Sequence, residues 1–185
     1  YEYIVDCGDH NPYTLSEGVD LGIRNRVTDQ IYGEDSETGY SWGVVASEDD
    51  PVIESPDTAS LGAYTKYQRA NTNAGCVADG QNRNISFRYA HGQDGAGIDP
   101  RYVRYRFELE PGTYDIEVGM GNYWGNAGNP DVYAGSDKLN HEVLNIPDGG
   151  NKAVTGTAAV AEDETNLDIY ALSKDATINM NYIMI

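Results

Sequence analysis

Residues 101–120 read "RYVRYRFELEPGTYDIEVGM", two runs that alternate apolar and polar residues on either side of a turn. In the first run the polar face carries Tyr102, Arg104, Arg106 and Glu108, and the apolar face carries Val103, Tyr105, Phe107 and Leu109. Such alternation is typical of a half-buried strand. After the turn "PGT" (111–113), Tyr114, Ile116 and Val118 share a face of the second run. We therefore predict that the two runs pair as an antiparallel hairpin.

Further strand-like runs lie on both sides of this stretch, and sustained helical periodicity is absent. They are "YEYIVDC" (1–7), "DVYAG" (131–135), "HEVLNI" (141–146), "AVTGTAAVA" (153–161), "TNLDIYAL" (165–172) and "ATINMNYIMI" (176–185). Short strands separated by turn signals predict an all-β fold, an antiparallel β-sandwich or jelly roll, with residues 1–185 as one domain. Residues 8–84 are less regular, and we expect loops there that carry function or are tied down.

The aromatic composition favours surfaces that contact a ligand. The chain has 15 Tyr and only 2 Phe, together with 21 Gly. Tyrosine combines an apolar ring with a hydroxyl that stays hydrated or hydrogen-bonded, so an excess of it indicates aromatics near the surface. The plainer alternative is that strands simply favour Tyr.

The charge excludes several classes of partner. The formal net charge is −18, which opposes binding to nucleic acid and to anionic membrane surfaces. A neutral polar ligand, or a cation such as calcium, remains compatible with this charge. No apolar run approaches the roughly 18 residues that a membrane span requires. The sequence begins directly on a strand-like run, which suggests a domain excised from a larger protein.

The two cysteines, Cys7 and Cys76, match no zinc or redox spacing. In a secreted protein a disulfide between them would stabilise the fold by about 4 kcal/mol. Two buried thiols are the alternative. "NIS" (84–86) is a glycosylation sequon, a short pattern that also occurs by chance.

Catalytic patterns are weak. Hydrolysis of a glycosidic bond needs two carboxylates that face each other across a cleft. The candidate pairs are Glu108 and Glu110, Asp115 and Glu117, and Asp49 and Asp50. In the first two pairs the spacing puts both carboxylates on one solvated strand face. His10, His91 and His141 show no metal spacing, and no serine lies in a nucleophile motif. We therefore expect a module without catalytic activity.

Two acidic segments suit calcium. "DCGDHN" (6–11) and "EDSETG" (34–39) cluster oxygen ligands among small residues. The full EF-hand spacing is missing, so no ligand set is assigned, and a structural calcium remains one possibility.

Three segments combine aromatic residues with glycine and polar residues. They are "TGYSWG" (38–43), "FRYAHGQD" (87–94) and "GNYWGNAGN" (121–129). A pyranose has a C–H face that stacks on an aromatic ring, and hydroxyls that need fixed polar partners. The repeated composition therefore favours sugar recognition.

The order "YVRYRFELEPGTYDIEVGMGNYW" (102–124) resembles the central hairpin of malectin and malectin-like carbohydrate-binding modules. "IVDCGD" (4–9) resembles their first strand, and "SKDATINMNYIMI" (173–185) resembles their last. The resemblance implies a galactose-binding-like β-sandwich with its ligand site on loops at one end. "GNAGNPDVYAG" (125–135) departs from the family pattern and 44–84 is longer, so the family's sugar specificity is not carried over.

The resemblance also implies the site residues. The aromatic pair after the second hairpin strand corresponds to Tyr123 and Trp124, and the aromatic before the first strand corresponds to Tyr89. An earlier loop aromatic corresponds to Tyr40 or Trp42, and the Asp before the last strand corresponds to Asp175. On chemical grounds we add Asn122, Asn126 and Arg88 as groups that bond sugar hydroxyls.

Together these features predict a secreted, monomeric, non-catalytic module that anchors a covalently linked glycoside hydrolase to a plant or host polysaccharide. Two alternatives stay open. One is a calcium-dependent adhesion or structural module, and the other is a small enzyme that degrades polysaccharides.

Overall fold

The computed structural model describes residues 2–7, 29–45, 52–53, 68–72, 86–90, 101–122, 129–173 and 178–185. For 52–53, 68–72, 86–90 and residues 6, 101 and 102, only the backbone is described. These ranges hold strands and no helix, and so none of the long apolar helices that cross a bilayer.

Thirteen strands form within the described ranges. They are β1 (Ile4–Asp6), β2 (Gly33–Glu34), β3 (Ser41–Val44), β4 (Val52–Ile53), β5 (Gln68–Thr72), β6 (Ser86–Ala90), β7 (Arg101–Glu108), β8 (Gly112–Gly121), β9 (Asp131–Ala134), β10 (Asp137–Lys138), β11 (Asn151–Val160), β12 (Asn166–Ser173) and β13 (Ile178–Met184).

The first sheet has the order β11-β8-β13-β6-β5-β4. β13 pairs with β8 along one edge, while its other edge is shared by β6 and β1. The pairing of β13 with β8 shifts between Met180 and Tyr182, so a bulge lies at Asn181. β4 and β5 pair in parallel, whereas the other pairs of this sheet are antiparallel.

The second sheet has the order β10-β9-β12-β7-β3-β2, and its named strands pair antiparallel. The chain alternates between the sheets along β7, β8, β9, β11, β12 and β13. The structure thus confirms the predicted all-β, antiparallel sandwich.

The predicted hairpin at 101–120 is wrong. β7 pairs with β12 and β3 in the second sheet, whereas β8 pairs with β11 and β13 in the first. The turn at Pro111 therefore carries the chain from one sheet to the other. The apolar faces are nevertheless as predicted, because Phe107 from β7 and Val118 from β8 are both fully buried in the shared core.

Aromatic residues fill one part of the core. The Tyr3 ring lies 4.9 Å from that of Phe107 and 6.5 Å from that of Trp42, measured between centroids. The Tyr3 hydroxyl donates to the backbone oxygen of Glu108 (2.7 Å), and the Tyr105 hydroxyl donates to Asp29 Oδ2 (2.9 Å). These buried phenols satisfy their polar ends, as buried tyrosines require.

The strand predicted at 141–146 does not form. Asn140 holds this part of the chain instead, since its Oδ1 accepts from Val132 N (2.7 Å) and its Nδ2 donates to Pro130 O (3.1 Å). Asn145 has φ 45°, a left-handed conformation that interrupts a strand. Leu144 and Ile146 are still buried, so the segment covers the core as irregular chain.

Candidate functional site

One end of the sandwich, which we call the loop end, is where β6, β8 and β12 finish and β13 begins. Ile178 lies opposite Ala90 in the register of β13 and β6, and Met180 lies opposite Met120 in that of β13 and β8. The chain therefore leaves β8 toward Tyr123 and Trp124 at the loop end. Four residues, 174–177, join β12 to β13 there.

Most predicted site residues belong to these connections. Tyr123, Trp124, Asn126 and Asp175 lie outside the described residues, and only the backbone is described for Arg88 and Tyr89. Arg88 and Tyr89 lie just before the end of β6, beside the loop end. The topology thus brings the ends of β6 and β8 and the start of β13 to one end of the molecule, and contact of these six residues with a ligand stays a prediction.

The Asn122 side chain is buried and bonds to the protein backbone rather than to a ligand. It is 6% exposed, and its Nδ2 donates to the backbone oxygen of Ile146 (3.0 Å). Its backbone N donates to Gly150 O (3.0 Å), and its backbone oxygen accepts from Gly149 N (2.7 Å). These contacts fix the 146–150 turn, which corrects the prediction that the Asn122 amide bonds sugar hydroxyls.

The prediction that Trp42 stacks on a sugar is wrong. Trp42 is 1% exposed and belongs to the core cluster. Its Nε1 donates to Asp35 Oδ2 (3.2 Å), so the indole is satisfied inside the protein. A ring that is closed in on both faces offers no surface to a ligand.

Tyr40 is half-buried but lies at the opposite end of the sandwich. β3 runs antiparallel to β7, with Trp42 opposite Phe107. Ser41 N donates to Glu108 Oε2 (2.8 Å), at the end of β7 that is remote from the loop end. Tyr40 directly precedes Ser41 in the sequence. The structure therefore does not bring Tyr40 together with the other predicted site residues.

Asn179 is a buried polar residue that the sequence analysis did not consider. It lies between Ile178 and Met180, both in the core cluster, so its side chain projects from the other face of β13. In the register it is opposite Tyr89 of β6. The side chain is 0% exposed, and within the described part of the chain neither Oδ1 nor Nδ2 has a hydrogen-bond partner.

A buried amide without partners costs about 1–3 kcal/mol per unsatisfied group. Such a group in a native fold therefore needs an explanation, and a bound ligand is one. The sequence did hold a signal for it. "INMNY" (178–182) places asparagine, which strands disfavour, at alternate positions of an otherwise apolar run.

The outer face of the second sheet carries a second cluster, which we call the tyrosine face. It consists of Tyr32, Arg104, Arg106, Tyr133, Asp168 and Tyr170. The buried residues of β7, β9 and β12 alternate with these half-buried ones, so the cluster lies on the face that is turned away from the core. None of these residues was predicted as a site residue.

Tyr133 and Tyr170 pair across β9 and β12. Their rings are nearly parallel, with an angle of 9° and centroids 5.0 Å apart. Burial raises the pKa of the Tyr170 phenol, Tyr133 and Asp168 raise it further, and Arg104 opposes them. Tyr170 is therefore a neutral, rigidly held ring at neutral pH.

Arg106 and Asp168 lie opposite each other on β7 and β12 and form a two-point ion pair. Arg106 Nε donates to Asp168 Oδ1 (2.6 Å), and Arg106 Nη2 donates to Asp168 Oδ2 (2.9 Å). This hydrogen bonding raises the pKa of Arg106 above its already high value. The pair is only partly buried, so both groups retain hydrogen-bonding capacity toward solvent or a ligand.

Tyr32 completes the tyrosine face because the chain crosses closely over Gly43. Val44 N donates to Gln30 O, and Tyr32 N donates to Val44 O (both 2.9 Å). Gly43 has φ 133°, and a Cβ there would lie 2.5 Å from Gln30 O. Glycine is therefore required at this crossing. It lets the Tyr32 ring lie 5.8 Å from the Arg106 guanidinium carbon.

Two hollows open on this face. One of about 480 Å³ is lined in part by Arg106, Asn166, Asp168 and Tyr170, and the other, of about 200 Å³, by Arg104, Asp168, Tyr170 and Leu172. Asp168 and Tyr170 line both, so these two residues form the ridge between them. Arg104 belongs to β7 and the other lining residues belong to β12, so the second hollow lies where these two paired strands meet.

A groove of about 810 Å³ runs along the outer face of the first sheet. Asp115 and Glu117 line it, together with Thr155 and Thr157 of β11. Glu117 Oε1 accepts from the Tyr182 hydroxyl (2.6 Å), so this carboxylate is engaged in holding β13 to β8. The two carboxylates lie on one strand face, as predicted, rather than across a cleft.

The acidic segment at 34–39 forms a turn around Asp35. Asp35 Oδ1 accepts from Glu37 N (2.9 Å), and Oδ2 accepts from the Trp42 indole (3.2 Å). Within the described ranges, no group of three or more His, Cys, Asp or Glu side chains is placed to hold a metal ion. The other proposed calcium segment, 6–11, lies mostly outside those ranges.

Cys7 is buried in the core cluster, and its backbone N donates to Asn181 O (2.7 Å). Cys76 lies outside the described residues, so the disulfide between them remains a prediction.

Comparisons with solved structures give four matching chains, of which two are described here. No family model and no curated protein matches the sequence. A family 35 carbohydrate-binding module from an environmental isolate aligns with a TM-score of 0.36 and 14% identity, over 49% of this chain and 69% of that one. The isomalto-dextranase of Arthrobacter globiformis T6, complexed with panose, aligns with a TM-score of 0.31 and 16% identity, over 53% of this chain and 18% of that one. These values are too low to transfer residues or function.

Proposed function

We propose that this chain is a non-catalytic carbohydrate-binding module that holds a saccharide at the loop end. Trp124 and Tyr123 would stack on the C–H face of a sugar ring, and Tyr89, Arg88 and Asp175 would border the site. The chain would anchor a covalently linked glycoside hydrolase to its polysaccharide outside the cell.

The observation that carries the proposal is the strand register at the loop end. Ala90, the last residue of β6, lies opposite Ile178, the first of β13, and Met120, near the end of β8, lies opposite Met180. The predicted aromatic pair follows β8 in the sequence, and Asp175 precedes β13.

The proposed mechanism needs no charge on the ligand. Ring stacking supplies apolar contact, and the polar side chains that border the proposed site would bond the sugar hydroxyls. A site that buries little of its ligand binds modestly, so we expect Kd values of about 10–1000 μM, or about 4–7 kcal/mol.

A glycan array followed by calorimetry with a short oligosaccharide of the selected sugar tests the proposal. Trp124→Ala should abolish oligosaccharide binding, whereas Trp124→Phe, which keeps a stacking face, should retain part of it. Thermal unfolding should show both variants folded. If Trp124→Ala binds as tightly as the wild type, the loop end is not the site.

Asn179→Leu provides a control. The Asn179 side chain is 0% exposed, so the variant should bind the oligosaccharide like the wild type. It should also be at least as stable, because leucine fills a similar volume without unsatisfied polar atoms. Weakened oligosaccharide binding by the folded variant would contradict this expectation.

A further inference from the structure

We propose that the tyrosine face is a second saccharide-binding surface, one that takes an extended neutral glycan chain and rests on the proposed function for its ligand class. It lies on the outer face of the second sheet, apart from the loop end. The occupant would lie across β3, β7, β12 and β9, with Tyr170 and Asp168 at the centre.

The hollows beside Tyr170 have the chemistry of a sugar subsite. The Tyr170 ring stacks on that of Tyr133, and Tyr170 also lines the 200 Å³ hollow. Asp168 faces both hollows and offers carboxylate oxygens with acceptor sites beyond those used by Arg106. An aromatic ring beside the acceptor oxygens of Asp168 and the donor nitrogens of Arg106 is the arrangement that binds a pyranose with adjacent hydroxyls.

The tyrosine face carries little net charge, unlike the whole chain. The whole chain carries −18, whereas this face holds Arg104, Arg106 and Asp168, with Arg106 paired to Asp168. Beside it, Lys138 is paired to Asp131 at 2.7 Å. A nucleic acid or a strongly charged protein would find no uniform field here. The large exposed apolar residues of the described ranges, Ile31 and Val143, are not part of this face.

The extent of the face indicates a chain rather than a single sugar. Three strand spacings separate β3 from β9, which is roughly 14 Å at the usual spacing between paired strands. Tyr32, held over Arg106 and bonded through its hydroxyl to Asn166 Oδ1 (3.2 Å), lies toward the β3 side, and Tyr133 lies at the β9 side. Several pyranose rings fit between them.

Affinity electrophoresis in gels containing the selected polysaccharide tests this surface. Tyr170→Ala should weaken retention about tenfold, and Asp168→Asn should weaken it less, while both keep the wild-type affinity for the short oligosaccharide that the loop end binds. Trp124→Ala should leave weak retention that the double variant Trp124→Ala/Tyr170→Ala loses. Tyr114→Ala, which removes a half-buried tyrosine from the first sheet, is the matched control and should be retained like the wild type.

The possible results separate the two proposals. If Tyr170→Ala and Asp168→Asn are folded and retained like the wild type, the tyrosine face is not a binding surface, and the loop-end site stands. If Trp124→Ala alone removes all retention, the second surface is likewise excluded. A wild-type protein that binds no saccharide overturns both proposals.

Discussion

At the scale of the residue, the two tryptophans illustrate what sequence can and cannot distinguish. "TGYSWG" and "GNYWGN" have nearly the same composition. Trp42 nevertheless belongs to a strand whose buried face it completes, because β3 adds to the edge of β7. One of the two pairing partners of β3, β7, lies more than sixty positions away in the sequence, so the composition around Trp42 could not reveal its burial.

Trp42→Ala should destabilise the fold by about 3–5 kcal/mol, because it opens a cavity and leaves Asp35 Oδ2 without its indole donor. Trp42→Phe should cost less, since much of the ring volume remains. Urea unfolding measures both values. If the variants are as stable as the wild type and lose only saccharide binding, Trp42 contacts the ligand after all.

Tyr170 gives a pH dependence with a defined sign. Its pKa is raised in the fold, chiefly by burial, above the ordinary value of 10.0. Its contribution to stability is therefore complete below about pH 10 and is lost as the pH rises through the folded value. The stability advantage of the wild type over Tyr170→Phe should be constant from about pH 8 to about pH 10 and should shrink as the pH rises further.

Urea unfolding across this range measures the change. Leu172→Ala, on the same strand, removes no titrating group and provides the control, because its stability difference should not vary with pH. A constant difference between the wild type and Tyr170→Phe would contradict the raised pKa.

At the scale of the element, Gly119 shows how β8 and β13 fit together. A Cβ at Gly119 would lie 2.1 Å from the Tyr182 ring, which packs over the glycine and donates to Glu117. Gly119→Ala should therefore cost about 1–3 kcal/mol. In a Tyr182→Ala background the cost should fall, because the obstructing ring is gone.

The double-mutant cycle, measured by urea unfolding, should give a coupling of about 0.5–3 kcal/mol between the two positions. Additive costs would mean that the ring moves aside freely and that the contact does not constrain the register of β13.

The strands themselves were largely predictable, and their partners were not. Alternation identified the buried faces of β7 and β8 because side-chain direction is a local property with a period of two. Pairing is not local. β7 finds its neighbours at β12 and β3, so an apparently ideal hairpin became a crossing between sheets. At 141–146 the apolar residues were buried as expected, but the side-chain bonds of Asn140 outweighed the strand propensity.

At the scale of the whole molecule, the fold class followed from the sequence, whereas the candidate site followed only in part. Tyr123 follows β8 and Asp175 precedes β13 in the sequence, and the site that the family resemblance implies stays a prediction. The tyrosine face escaped the sequence analysis because its residues come from separate strands. In the sequence, each of these residues stands at an ordinary solvent-facing position of its own strand.

The whole-molecule charge yields a last prediction. A chain with a net charge of −18 should bind charged partners with strong salt dependence, since the screening length falls from about 30 Å at 0.01 M to about 3 Å at 1 M salt. A neutral saccharide held by stacking and hydrogen bonds is insensitive to this screening. Its Kd should therefore change less than about twofold over that range, as measured by calorimetry. A much larger change would mean that the ligand carries charge, and stacking on Trp124 and Tyr170 would then be secondary to an ionic contact.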